Sequence, residues 1–285
     1  MPKAFGCAKL PEQKTLVDMY IDSHCHLNFP ELQSQLDTIL EQMNAGQVSK
    51  ALCISTTLSN FEDVHRLATQ HPQLWCTVGV HPDEEDCEEP TLEGLLERAQ
   101  LARVVGIGET GLDYYRLNGR SIQDMAWQRE RFRVHLRAAR DTGLPVVIHT
   151  RSASDDTLAI LREEIQEAIH LGKSTIRGVF HCFTEAQAVA DAALDLGFYI
   201  SFSGILTFKS AQDLRDVART VPLDRTLIET DSPYLAPVPY RGKTNTPAYV
   251  PYVAQCLADL HGVTSEEIGR QTADNFHRLF HAVPA

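Results

Sequence analysis

Eight short apolar runs recur along the chain, each bounded by glycine, proline or polar residues, with helix-like stretches between most of them. They are MYIDSHCH (19–26), SKALCIST (49–56), LWCTVGVHP (74–82), RVVGIGETG (103–111), PVVIHTR (145–151), IRGVFHCF (176–183), FYISFSG (198–204) and RTLIETDSP (225–233). Short β-branched runs of this kind read as buried strands. The intervening patterns ELQSQLDTILEQMNAG, QDMAWQRERFRVHLRAARDTG, SDDTLAILREEIQEAIHLG and TEAQAVADAALDLG space their apolar residues about one helical turn apart. Gly46, Gly143 and Gly197 are read as the ends of their helices, Ser154 or Asp155 as a cap, and Thr184 as a helix start with Glu185 in the first turn. Two more helices are expected near 246–261 and 264–281. Strand–helix alternation repeated eight times predicts a single-domain α/β fold, a (β/α)8 TIM barrel over 19–285. A doubly wound open sheet is the competing arrangement. The barrel makes the sharper prediction, because its catalytic groups must gather at the C-terminal ends of several strands.

The polar residues fit that demand. Run one ends in His24 and His26, run four in Glu109, run five in His149, run six in His181 and run eight in Glu229 and Asp231. Alternation along a strand would point Asp22, His24 and His26 to one face. Four histidines with two or three carboxylates exceed what one tetrahedral ion takes, and suit two ions about 3.5–4 Å apart. A carboxylate can bridge two cations and an imidazole cannot, so Glu109 is the bridging candidate. Asp231 could both hold a metal and accept the proton of the attacking water, which makes Asp231 and Glu109 the catalytic candidates. Glu229 and Asp22 lie deeper on their runs and are read as supporting the ligands. Histidine-rich donors favour Zn²⁺, Mn²⁺ or Fe²⁺ over Mg²⁺. Cys25 and Cys182 neighbour ligand histidines but are expected to face away from them.

Cations and aromatics follow the same run ends. Arg116 and Tyr114 come just after run four with Asp113, Arg151 closes run five, and Arg241 with Lys243 lies in the loop after run eight. Arginine can fork onto phosphate oxygens, so Arg116, Arg151 and Arg241 are substrate-contact candidates. His81, directly after run three, is a candidate for a phosphate contact or an ordinary loop histidine. Tyr114 and Phe183 are candidates for base stacking, with core packing the plainer role for Phe183. No phosphate-cradling glycine loop of the G-x-x-x-x-G-K-[ST] type is present.

Composition sets the remaining bounds. A net charge of −12 argues against an extended basic nucleic-acid coat, while leaving room for one local cationic pocket. The acidic stretch 81–90 reads as a solvated loop. Seven scattered cysteines without a C-x-x-C suggest reduced thiols and a cytoplasmic protein. No apolar stretch is long enough for a membrane span. Residues 1–18 read as a loose N-terminal extension without a signal-peptide core, and Met19 as an alternative start.

The runs DSHCHL, VGVHP, GETGLDYY, PVVIHTR, FHCF and ETDSPYL resemble, in that order, the signature segments of the TatD family of metal-dependent deoxyribonucleases. The likeness extends from about Tyr20 to Phe280. It implies an amidohydrolase-like barrel, a Mg²⁺- or Mn²⁺-dependent nuclease that trims single-stranded DNA ends from 3′ to 5′, and the ligand set His24, His26, Glu109, His149, His181 and Asp231. From the residues alone, an amidohydrolase or esterase acting on a small-molecule C–N or C–O bond stays open, since fold does not fix function. So does a non-catalytic, metal-stabilised binding scaffold. The oligomeric state is not legible in the sequence.

Overall fold

The computed structural model describes residues 19–284, so the expected N-terminal extension lies outside the described residues. Eight parallel strands run in the sheet order of the sequence: β1 Tyr20–Cys25, β2 Val48–Cys53, β3 Leu74–Val78, β4 Val104–Asp113, β5 Val146–Arg151, β6 Gly178–Phe180, β7 Tyr199–Phe202 and β8 Thr226–Ile228. The seam between β8 and β1 is closed just beyond β8. There the Asp231 N–H donates to the His24 carbonyl at 2.9 Å and the His26 N–H to the Ser232 carbonyl at 2.8 Å. The result is a (β/α)8 barrel, and two candidate ligand segments form its closing seam.

The helices are α1 Pro30–Gln33, α2 Leu36–Ala45, α3 Leu58–Gln70, α4 Leu92–Ala99, α5 Ala126–Thr142, α6 Ser154–His170, α7 Gln187–Asp195, α8 Gln212–Thr220, α9 Val250–His261 and α10 Ser265–Leu279. Several sequence boundaries need correction. The first helical pattern breaks at Ser34–Gln35 into α1 and α2; α2 does end at Gly46, its C-cap, and Gln47 just beyond takes the left-handed conformation. Ser154 is the first residue of α6, not its cap, and its hydroxyl donates to Glu185. That contact holds Glu185 outside α7, which begins at Gln187. Gly143 does adopt the left-handed conformation (φ 74°) that lets the chain turn from α5 into β5.

Two apolar layers hold the barrel. A large cluster fills the space between strands and surrounding helices. A second takes residues from seven strands, including Ile21, Leu52, Val105, Val147, Val179 and Leu227, and packs them against Phe276, Leu279 and Phe280. The C-terminal end of α10 therefore plugs the base of the barrel, and the polar run ends open at the other mouth. Among the described residues no helix is long and apolar enough to cross a membrane.

Candidate metal centre

Two interruptions of regular pairing aim the ligands. Between Asp22 and Cys25, β1 spends three steps opposite two on β2, and between Ile107 and Thr110, β4 does the same against β5. Such bulges re-aim side chains, and His24 and Glu109 sit within them. The simple alternation expected for Asp22, His24 and His26 is thus broken. Asp22 is buried beneath the histidines and accepts hydrogen bonds from the N–H groups of His24 and Thr230. Glu109 is fixed from behind by its own N–H, which donates to the Ser55 carbonyl at the end of β2.

His24, His26, Glu109, His149, His181 and Asp231 converge. Glu109 Oε2 lies 3.2 Å from His24 Nε2, while Oε1 lies 2.7 Å from His181 Nε2 and 3.1 Å from His149 Nδ1. On the first side His24 Nε2 and His26 Nε2 are 3.3 Å apart, and Asp231 Oδ1 is 3.7 and 3.5 Å from them. His149 Nδ1 and His181 Nε2 are 3.5 Å apart on the other. Donor atoms each about 2.1 Å from a shared cation stand roughly 3–3.5 Å from one another, and these separations match two such sets joined by Glu109.

The outer nitrogens decide which lone pairs face inward. His26 Nδ1 donates to the Ile54 carbonyl, His149 Nε2 to Asp113, and His181 Nδ1 to Glu229. Each acceptor fixes the tautomer and leaves the other nitrogen unprotonated toward the cluster. His24 Nδ1 has no hydrogen-bond partner, and its ring stacks on His181 with centroids 3.9 Å apart. Four imidazole lone pairs and two carboxylates aimed at one another are mutually repulsive unless positive charge lies between them. The titration of the groups says the same. Burial pushes Glu109 up, but His181, His81 and His24 outweigh it and hold its carboxyl well below the usual range. Burial likewise acts on Asp231, and His26 and His24 hold it down. Burial lowers His181, yet Glu109 and Glu229 raise it well above an ordinary histidine. A donor set that draws positive charge this strongly fits divalent cations.

The supporting residues extend outward. Glu229, fully buried, also accepts the Cys182 N–H at 2.7 Å. Asp113, which the sequence offered only as a neighbour of cationic residues, is the partner that orients His149. It is itself held by Gln128 on α5 through paired backbone hydrogen bonds of 2.9 and 3.1 Å. The signal for Asp113 was its even spacing from Glu109 on one strand. Asn245 also went unrecognised. Buried in the loop after β8, it donates from Nδ2 to the carbonyls of Thr230 and Tyr234 and fixes the turn that carries Asp231.

A cleft of about 720 Å³ opens above the cluster. His81, Arg116 and Arg151 line it, and His81 Nε2 stands 3.4 Å from both Glu109 Oε1 and His149 Nδ1. Three expectations are corrected here. Tyr114 is not at the cleft: it is buried, with its hydroxyl on Asp156. Cys182 does not face away: its positive φ of 43° turns it into the cleft wall. Arg241 lies over the Phe208 ring at 3.6 Å and is not among the residues lining the cleft.

The chain matches the family model described as TatD related DNase over residues 21–281. It is 46% identical over 264 residues to the uncharacterised metal-dependent hydrolase YcfH of Escherichia coli K12, covering 92% of this chain and 95% of that protein. It is 36% identical over 263 residues to the uncharacterised metal-dependent hydrolase YabD of Bacillus subtilis 168, covering 92% and 99%. Among solved structures, the TatD homologue YJJV from E. coli K12 superimposes with a TM-score of 0.82 at 27% identity, covering 94% of this chain and 100% of that one. An organophosphorus hydrolase variant from Deinococcus radiodurans shares the fold at 16% identity, with a TM-score of 0.62 and coverage of 93% and 94%.

Proposed function

The chain belongs to the TatD-related DNase family of metal-dependent hydrolases, and from that premise we propose that it is a phosphodiesterase that cleaves DNA from single-stranded ends, in the 3′ to 5′ direction, using two divalent cations. The observation that carries this is the position of Glu109, whose Oε2 faces His24 while its Oε1 faces His181 and His149. His24, His26, Asp231 and Glu109 would hold one cation, and His149, His181 and Glu109 the other. When bound, two such cations supply Lewis acidity toward phosphoryl oxygens and make water a better nucleophile at neutral pH.

The protein's own groups supply the rest. Asp231 Oδ1, at the edge of the cluster and open to the cleft, accepts the proton released by the attacking water. Arg116 and Arg151 bind non-bridging phosphate oxygens on the β4–β5 side. His81, next to Glu109 and His149, is placed to donate a hydrogen bond to the same phosphate. The imidazole-rich donor set supports Mn²⁺ or Zn²⁺ as resident ions, with Mg²⁺ as a weaker activator. A cleft of about 720 Å³ suits a small ligand or a strand end.

Digestion of 3′- and 5′-labelled single-stranded oligonucleotides with Mn²⁺, Mg²⁺ or EDTA tests the proposal, with Asp231→Asn as control. Stepwise shortening from the 3′ end, abolished by EDTA and by the substitution, is expected. Cleavage of small amides or esters by a protein that leaves every oligonucleotide intact would overturn it.

A further inference from the structure

The two aromatic residues that the sequence offered for base stacking are both buried, Tyr114 at 6% and Phe183 at 2% exposed. Aromatic surface in the cleft comes instead from Tyr234, which is 54% exposed. Its ring is carried on a fixed turn. The Tyr234 N–H donates to the Asp231 carbonyl at 3.0 Å, and Asn245 ties down Tyr234 and the residue before it, through its N–H to the Pro233 carbonyl and through Nδ2 to the Tyr234 carbonyl. Phe29 stands edge-on to Tyr234 with centroids 6.1 Å apart and stacks on the ligand His26 at 5.0 Å. Leu235 and Ile205 continue this apolar wall.

The opposite wall carries two cations, Arg116 and Arg151, while Asp83 and Glu84 also line the cleft. By sheet order, β4 and β5 lie across the barrel from β8 and β1. On that side Arg116 has no partner among the described residues, and the Arg151 guanidinium lies over the Tyr115 ring, 3.7 Å from its centroid. The metal ligands sit between an aromatic wall and the wall that carries Arg116 and Arg151. A nucleotide has the same polarity, with a neutral π-face at one end and an anionic phosphate at the other. A small ester would leave one wall unused. A duplex would keep its bases stacked within the helix and out of reach of Tyr234.

Resting on the phosphodiesterase reading above, we propose that Tyr234, backed by Phe29, is the stacking platform for the base of one unpaired terminal nucleotide, whose phosphate is turned toward Arg116 and Arg151. Tyr234 is thereby a specificity-determining residue. It selects strand ends with a base over ends without one, and does not discriminate strongly among bases, since every base offers a π-face.

The test compares the full chain with Y234A and Y234F, loaded with Mn²⁺, on a single-stranded oligonucleotide whose terminal nucleotide is intact or abasic. On the intact end Y234A is expected to lose roughly tenfold to a hundredfold in kcat/KM, mainly through KM, and Y234F to restore it. On the abasic end the Y234A penalty shrinks to less than about threefold, the signature of a coupled pair. A second readout is stopped-flow quenching of a terminal 2-aminopurine on binding, read before cleavage. Wild type and Y234F quench it, and Y234A does not. Equal losses on both ends, or unchanged quenching in Y234A, would overturn the platform. Quenching that depends on Tyr234 in a protein that cuts no oligonucleotide would uphold the platform and overturn the hydrolytic proposal instead.

Discussion

Asp113 touches the cluster only through the outer nitrogen of His149, and Glu229 only through His181 and the Cys182 N–H. Such partners hold ring orientation and ligand basicity, and their loss costs about 10–100-fold in metal affinity or activity. Asp113→Asn and Glu229→Gln are therefore expected to lower Mn²⁺ affinity by that factor while the chain stays folded, as read by calorimetric titration alongside circular dichroism. Unchanged affinity in both variants would leave those hydrogen bonds without a role. The ligand candidates were legible in the sequence because each one ends an apolar run and the barrel gathers such ends. Asp113 and Asn245 were not: even spacing from Glu109 was the one signal for Asp113, whose role rests on His149 on β5, and Asn245 is identified only by how its own loop folds back on Thr230 and Tyr234. The aromatics were misjudged for a related reason: Tyr114, Tyr115 and Tyr234 are alike in sequence, and only packing against Asp156, Arg151 or the cleft tells them apart.

At the level of elements, the pairing of β4 with β5 sets the position of His149. Gly111 pairs with His149 at a φ of 141°, and a Cβ there would stand 1.9 Å from the His149 carbonyl oxygen. Gly111→Ala must push the two strands apart, and is expected to cost on the order of 2–4 kcal/mol in urea unfolding and to lower activity with it. His135 does comparable work between α5 and the end of β3. It accepts the Val80 N–H at 3.0 Å and donates to the Arg131 carbonyl at 2.8 Å. Burial lowers it to about 4 from an ordinary 6.5. Its folded pKa lies below its unfolded one, so the unfolded chain binds the extra proton, and stability is lost as pH falls from about 6.5 to about 4. The loss is about 3 kcal/mol, and His135→Gln should flatten that part of the stability–pH curve relative to wild type. An identical acid slope in the variant would contradict the assignment. The bulges in β1 and β4 were invisible beforehand, since extra residues in a strand leave the apolar pattern nearly intact while turning the side chains that matter.

For the whole molecule, eight apolar runs narrowed the fold to a barrel or a doubly wound open sheet, both of which bury the two faces of parallel strands, and the seam between the His24 and Asp231 segments decides for the barrel. Helix ends were less legible: Ser154 looks like a cap and Glu185 like a first-turn residue locally, but they bind each other instead. Charge is the other global property. With a net −12, and Arg116 and Arg151 as the phosphate contacts, single-strand binding should weaken with salt at a slope of only about −1.4 in log–log form. A slope steeper than about −5, measured by fluorescence anisotropy, would require an extended basic track that the sequence does not supply. The most direct test of the paired-cation centre is anomalous diffraction at the manganese edge from crystals grown with Mn²⁺. Two peaks about 3.5–4 Å apart are predicted, with one oxygen of Glu109 on each. A single peak, or a pair that Glu109 does not join, would contradict it.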